Sequence, residues 1–481
     1  HIDTVNITNF LRRTATFKNS SDIDFLKCNI KNNVPLVNSD GYQNDDNDRQ
    51  GIRIEDHCED VTIKDCIFNE VRDPIRAFTA QSEYGGVITG NGKGQCRNIR
   101  FINNSVYGMK KHHAANATAD TEWGGILLWW GCDNYEVSGN YIVGGESNAI
   151  YLVGGSGIVK DNRIEQIGDG SSTGDVKHVI RYTNNTDYSD YDVEISNNII
   201  RNVDVKDAII YISARSNEFG LSGSLRINNN TITKSSGKGI HIDGSSGNSV
   251  ENVGIRGNSI TNVEVGINAV WITDAVISDN TISCNQASPS TARYGVWLSA
   301  GKDTLISNNQ IKCTVSNASY ANFGIAISNY AAADTVSING NILKGCHSGT
   351  DGDSDVAISV AGSNSIQVAN NVIKKFATGI RKSEDGHERV RTHGNFLYPG
   401  ASSGENSGYN WGNEMDTGFM PQVEWYKERT ESDDQRYRTD RARFVTTEIA
   451  VDVTNRGENL PKAYMPTITP TEIGISSSDI V

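Results

Sequence analysis

Val137-Ser-Gly-Asn140-Tyr-Ile142 is followed twenty-two residues later by Val159-Lys-Asp-Asn162-Arg-Ile164, and the two hexads share one template. It reads apolar, any, small or polar, Asn, any, apolar. The template recurs from Ile195 to Ile200, Ile227 to Ile232, Ile255 to Ile260, Ile277 to Ile282 and Ile306 to Ile311. Outward from these it runs back to Phe101–Val106 and forward to Ile338–Leu343, Val368–Ile373 and Thr392–Leu397. The asparagines stand at 104, 140, 162, 198, 230, 258, 280, 309, 341, 371 and 395, with Cys28 and Cys66 in the same place in two earlier copies. A fixed minimum interval with variable excess is the mark of a coil whose turns accept insertions.

A second phrase precedes each asparagine: Gly51-Ile-Arg-Ile54, Gly125-Ile-Leu-Leu128, Ala149-Ile-Tyr-Leu152, Gly239-Ile-His-Ile242, Gly295-Val-Trp-Leu298, Gly324-Ile-Ala-Ile327 and Ala357-Ile-Ser-Val360. Both phrases alternate with period two, which is strand periodicity. Short strands repeated without helical stretches stack as a solenoid, like residues lying about 4.8 Å apart along the axis. The expected fold is an all-β, right-handed parallel β-helix of about a dozen coils over residues 1–398. The asparagine column is then a ladder of hydrogen-bonded amides inside the wall and not a binding motif.

The repeat ends at Leu397. A Gly-, Ser- and Asn-rich linker spans 399–412, and 413–481 has a different composition, with dense charge from Glu431 to Arg443. This last part is expected to cap or oligomerise the solenoid, whose final coil would otherwise be a sticky edge.

The 58 Asp and Glu against 44 Lys and Arg give a formal charge of −14, which opposes broad nucleic-acid binding. No apolar run reaches the length of a membrane span, and no phosphate loop, HExxH or CxxC motif occurs, so no cofactor and no metal are expected. The loop with Asp45, Asp46 and Asp48 could hold a cation, but its spacing matches no calcium loop. All eight cysteines fall on repeat positions, seven of them apolar and inward, so free buried thiols are expected.

Function is sought on the outward positions of the second phrase. There stand Trp129, Tyr151, Arg181, His241 and Trp297, with Tyr182, Tyr211 and Trp271 next in line. Aromatic rings on a flat sheet suit the apolar faces of pyranose rings. Arg181, Asp207, Arg215, Glu218, His241 and Asp243 gather ionisable chemistry on the same face over the middle coils. Carboxylates one or two coil steps apart fall in the range glycosidases use.

The long ladder-bearing repeat resembles the phage tailspike depolymerases and the wider pectate-lyase-like superfamily. The resemblance covers residues 20–398 and rests on repeat style. It implies a bacterial surface polysaccharide as substrate, a parallel homotrimer and a place on a virion tail or outside the cell. No catalytic motif transfers, and the Asp-Pro-His-Glu motif of the related alginate epimerases is absent. Within the chain itself, hydrolysis would use Glu218 and Asp243 as acid and base, with Arg181 and His241 positioning the sugar. Arg215, Trp129, Tyr151, Tyr182, Tyr211, Trp271 and Trp297 would bind it. Elimination would instead have Arg181 neutralise a uronate and His241 or Tyr211 take the C5 proton. A glycan-binding adhesin is the non-catalytic alternative, and Glu55 and Glu122 are the fallback acids.

Overall fold

The computed structural model describes residues 1–398 apart from segments at 9–12, 33–49, 79–95, 110–124, 129–131, 146–147, 169–176, 184–189, 215–221, 234–236, 286–291, 314–321, 329–333, 346–354, 361–364 and 383–388 and residues 56, 72 and 377. Beyond 398 it describes the strands Val423–Trp425, Arg443–Val445 and Ala450–Asp452.

Each coil contributes one strand to each of three sheets of 16, 14 and 13 strands, so that every third strand in the chain is a neighbour. Every ladder within the coils is parallel, and the described residues contain no helix. The last coil strand, Phe396–Tyr398, ends where the repeat phrase ends. Val423–Trp425 then pairs antiparallel with Arg389–His393 at the end of the first sheet.

The first apolar position of the hexad forms an unbroken inward column in the first sheet. Phe101 pairs with Val137, Val137 with Val159, Val159 with Ile195 and Ile195 with Ile227, and the column continues through Ile255, Ile277 and Ile306. All are buried, each worth about 1.5–3 kcal/mol of apolar transfer relative to exposure. The second apolar position does the same in the second sheet, as Ile142, Ile164, Ile200 and Ile232.

Between them the chain turns, and the turn explains the small or polar third position. Asn103, Asp161, Asn197, Asn229, Asp279, Asn308 and Asn370 all have φ between 54° and 58°. This is the left-handed region, which Asn, Asp and Gly tolerate best. Gly139 has φ 65°, and a Cβ there would lie 2.2 Å from Asn103 Oδ1. The next residue is the ladder asparagine. Asn258 Nδ2 donates to Asn280 Oδ1 at 2.9 Å and to Ile227 O at 2.8 Å, while its Oδ1 accepts from Asn230 N and Nδ2. The pattern repeats from Asn104 to Asn395, every member buried. The seven described cysteines are buried and free, and Cys346 lies outside the described residues.

Candidate functional site

The third sheet carries the outward column that the second phrase anticipates. In register it runs Arg53, Arg76, Leu127, Tyr151, Arg181, Tyr211, His241, Asn268, Trp297, Ala326, Ser359, Arg381. A parallel outward column two residues on holds Val153, Thr183, Ser213, Asp243, Val270 and Ser299.

Strict alternation fails at the start of these strands. Val179 and Ile180 are both in the core, as are Ile209 and Ile210. Two consecutive inward residues leave positions three apart facing the same side. In the later coils a glycine takes the first inward place, because the backbone there runs close to its neighbour: a Cβ on Gly239 would meet Ile260 Cγ2 at 2.6 Å and Gly266 O at 2.7 Å. His178 therefore joins Arg181 on the outer face, and Lys238 joins His241.

Five of the expected residues converge on the strands His178–Thr183, Ala208–Ser213 and Lys238–Asp243 and the turn before the second. Tyr211 Oη donates to Asp243 Oδ2 at 2.9 Å, a diagonal reach across one coil step. Lys238 Nζ lies 2.7 Å from Asp207 Oδ1 and 3.2 Å from His241 Nδ1, and that nitrogen is 3.5 Å from Asp207 Oδ2. His178 stacks on the Tyr211 ring with centroids 4.1 Å apart, and His241 meets its other side edge-on at 5.2 Å. Arg181 lays its guanidinium over the Tyr151 ring at 4.6 Å.

Burial sets the protonation states. It pushes Tyr211 up to about 12, with the Asp243 charge adding to the rise, so the phenol stays protonated at neutral pH. Burial pulls His178 down to about 4, against the Asp207 charge. Burial alone would raise Asp207, but its neighbours His241 and Lys238 outweigh it and hold the carboxyl below the usual range. Asp207 is thus a fixed anion paired with Lys238, unsuited to donate a proton.

Other expected residues sit elsewhere. Tyr182 does not face outward: one step past Arg181, it turns into the core, where its hydroxyl donates to Gly155 O at 3.2 Å. Tyr151 is in the outward column but buried under Arg181, so its ring serves the arginine. Trp271 is off the strand in the following turn, at φ 52°, its carbonyl accepting from Val250 N. Leu127, not Trp129, is the Tyr151 partner. Trp129, Arg215, Glu218 and Glu122 lie outside the described residues; Glu55 is buried in an ion pair with Arg53.

Trp297 is half-buried two coils beyond His241. It stacks on Tyr294 at 4.8 Å, which stacks on Phe323 at 4.9 Å, and Arg381 reaches over Phe323 at 5.5 Å. Trp297 Nε1 donates to Ser328 Oγ at 3.0 Å. Period-two reading missed Tyr294 and Phe323, like His178 and Lys238, because each lies three residues before the outward column. The signal was present as a polar or aromatic residue directly before the second phrase.

Among the described residues no group of three or more His, Cys, Asp and Glu could hold a metal ion. No described helix is long and apolar enough to cross a membrane.

Among solved structures, a surface adhesin of Streptococcus pneumoniae is 12% identical, covering 73% of this chain and 82% of its own, with a TM-score of 0.41. The tailspike of E. coli bacteriophage HK620 is 10% identical, covering 79% and 70%, with a TM-score of 0.38. A Yersinia enterocolitica family 28 exopolygalacturonase is 10% identical, covering 79% and 72%, also at 0.38. No curated protein matches the chain. Residues 179–373, which contain the cluster from Arg181 to Asp243 and the aromatic group up to Phe323, match the family model of the right handed beta helix region. The described coils form a right-handed parallel β-helix.

Proposed function

We propose that the chain cleaves glycosidic bonds of a bacterial surface polysaccharide, by hydrolysis, on the outer face of its third sheet. The observation that carries this reading is the convergence of Arg181, Tyr211, His241 and Asp243 from three successive strands, with Asp243 held by the Tyr211 hydroxyl. Asp243 acts as the acid–base carboxylate, held in place by that hydrogen bond. Its partner carboxylate is Glu218. Ala214, four residues before Glu218 in the sequence, donates its amide to Asp243 O at 3.0 Å.

Arg181, braced on Tyr151, orients the glycan, and the Trp297 group two to three coils away supplies aromatic surface for further sugar units. Elimination fits less well, since a buried phenol titrating near 12 is a poor base at neutral pH. Such a glycan is met outside the cell, so the protein acts extracellularly or on a virion tail. We also assign residues 413–481 to capping and to assembly of a homotrimer.

The test is to incubate the protein with capsular, exopolysaccharide and O-antigen preparations and follow new reducing ends. A saturated product of lower mass supports hydrolysis; a product absorbing in the near ultraviolet as an unsaturated uronate transfers the site to elimination.

A further inference from the structure

We infer that Lys238 is a positioning residue that fixes His241 in its neutral, Nε2-protonated form, making it a hydrogen-bond donor and not a proton acceptor. The geometry involves three atoms. Lys238 Nζ is 2.7 Å from Asp207 Oδ1, and the same ammonium is 3.2 Å from His241 Nδ1. An ammonium carries three donors and no acceptor. The 3.2 Å contact is therefore a hydrogen bond only when Nδ1 keeps its lone pair.

The competing arrangement puts a proton on Nδ1 and aims it at Asp207 Oδ2, 3.5 Å away. That hydrogen bond is long, and it sets an N–H against the neighbouring ammonium. Asp207 is already engaged by Lys238 at the shorter distance, which holds the ammonium in place. The groups that face the imidazole are Lys238 on its own strand, Asp207 before the preceding strand, Tyr211 on that strand and Asn268 on the next. His178 stands behind Tyr211, and Asp243 takes the Tyr211 hydrogen bond. Of the two in contact with Nδ1, Asp207 favours a proton there and Lys238 opposes it, and Lys238 stands nearer.

Which ring nitrogen carries the proton is set by the partner of the other one. With Nδ1 occupied, the proton lies on Nε2, at the edge of the ring away from the Lys238–Asp207 pair. His241 then donates to a glycan oxygen and cannot take a proton from carbon. This catalytic meaning rests on the proposed glycan cleavage; the tautomer assignment does not.

The full-length chain labelled with 15N-histidine tests it, with the His241 signals identified by their loss in His241→Gln. At pH 7 the ring should give the neutral Nε2–H pattern, retained in Lys238→Arg and replaced by Nδ1–H or a mixture in Lys238→Met. A wild-type ring that is Nδ1–H or imidazolium at pH 7 overturns the assignment, and the wild-type spectrum decides this even if Lys238→Met does not fold. An unchanged tautomer in a folded Lys238→Met overturns the role of Lys238. Turnover of a cleaved glycan should fall at least tenfold in His241→Gln; equal turnover overturns the catalytic role of His241 alone.

Discussion

Tyr211 and Asp243 come from adjacent coils and are joined by a 2.9 Å hydrogen bond from the phenol to the carboxylate. Ser213, not Tyr211, is the direct register partner of Asp243, so the bond runs diagonally across the sheet. It gives a nearly buried carboxylate a donor on the outer face of the third sheet. A wall built only for stability has no need of that arrangement.

Asp243→Asn keeps the shape and removes the charge. Turnover of the cleaved glycan should fall at least a hundredfold, the low end for acid–base catalysis, with circular dichroism unchanged. Tyr211→Phe should fold and lose a smaller factor, because the ring keeps its stack on His178 while the hydroxyl is lost.

The amide ladder is testable by stability. Asn258→Ala removes the acceptor of two Asn230 N–H groups and both donated bonds. Buried polar groups left without partners cost free energy, so urea unfolding should show a loss of about 2–4 kcal/mol.

Gly139→Ala should cost about 1–2 kcal/mol, since φ 65° is the left-handed region and the added Cβ runs into Asn103. Gly247→Ala, where a Cβ meets nothing within 4 Å, should be close to neutral in the same melt.

His178 makes stability depend on pH. Its folded value is near 4, below the unfolded 6.5, so between the two the unfolded chain binds more protons. Stability from this group is therefore complete above pH 6.5 and falls as pH drops toward 4, by at most about 3 kcal/mol. His178→Asn should flatten that part of the stability–pH curve.

The fold was legible because the hexad encodes three separate constraints at fixed spacing: an inward apolar residue, a left-handed corner and an amide. Each coil repeats them, so insertions between coils did not hide the register. Arg181, His241 and Asp243 were legible for the same reason, as outward residues on a known strand. Lys238, His178, Tyr294 and Phe323 were not, because two consecutive inward residues break alternation at the corner. Tyr182 was misassigned as outward, although its inward turn follows directly from an outward Arg181. Trp271 follows the last strand residue, Val270, where the chain has already turned.

The most direct test of the account is release of reducing ends from a panel of bacterial surface polysaccharides, comparing the native chain with Asp243→Asn and Glu218→Gln. The native chain should cleave at least one glycan, and the Asp243 variant should lose that cleavage while still binding the glycan. Undiminished cleavage by both folded variants, or tight binding of a glycan without any cleavage by the native chain, would contradict it.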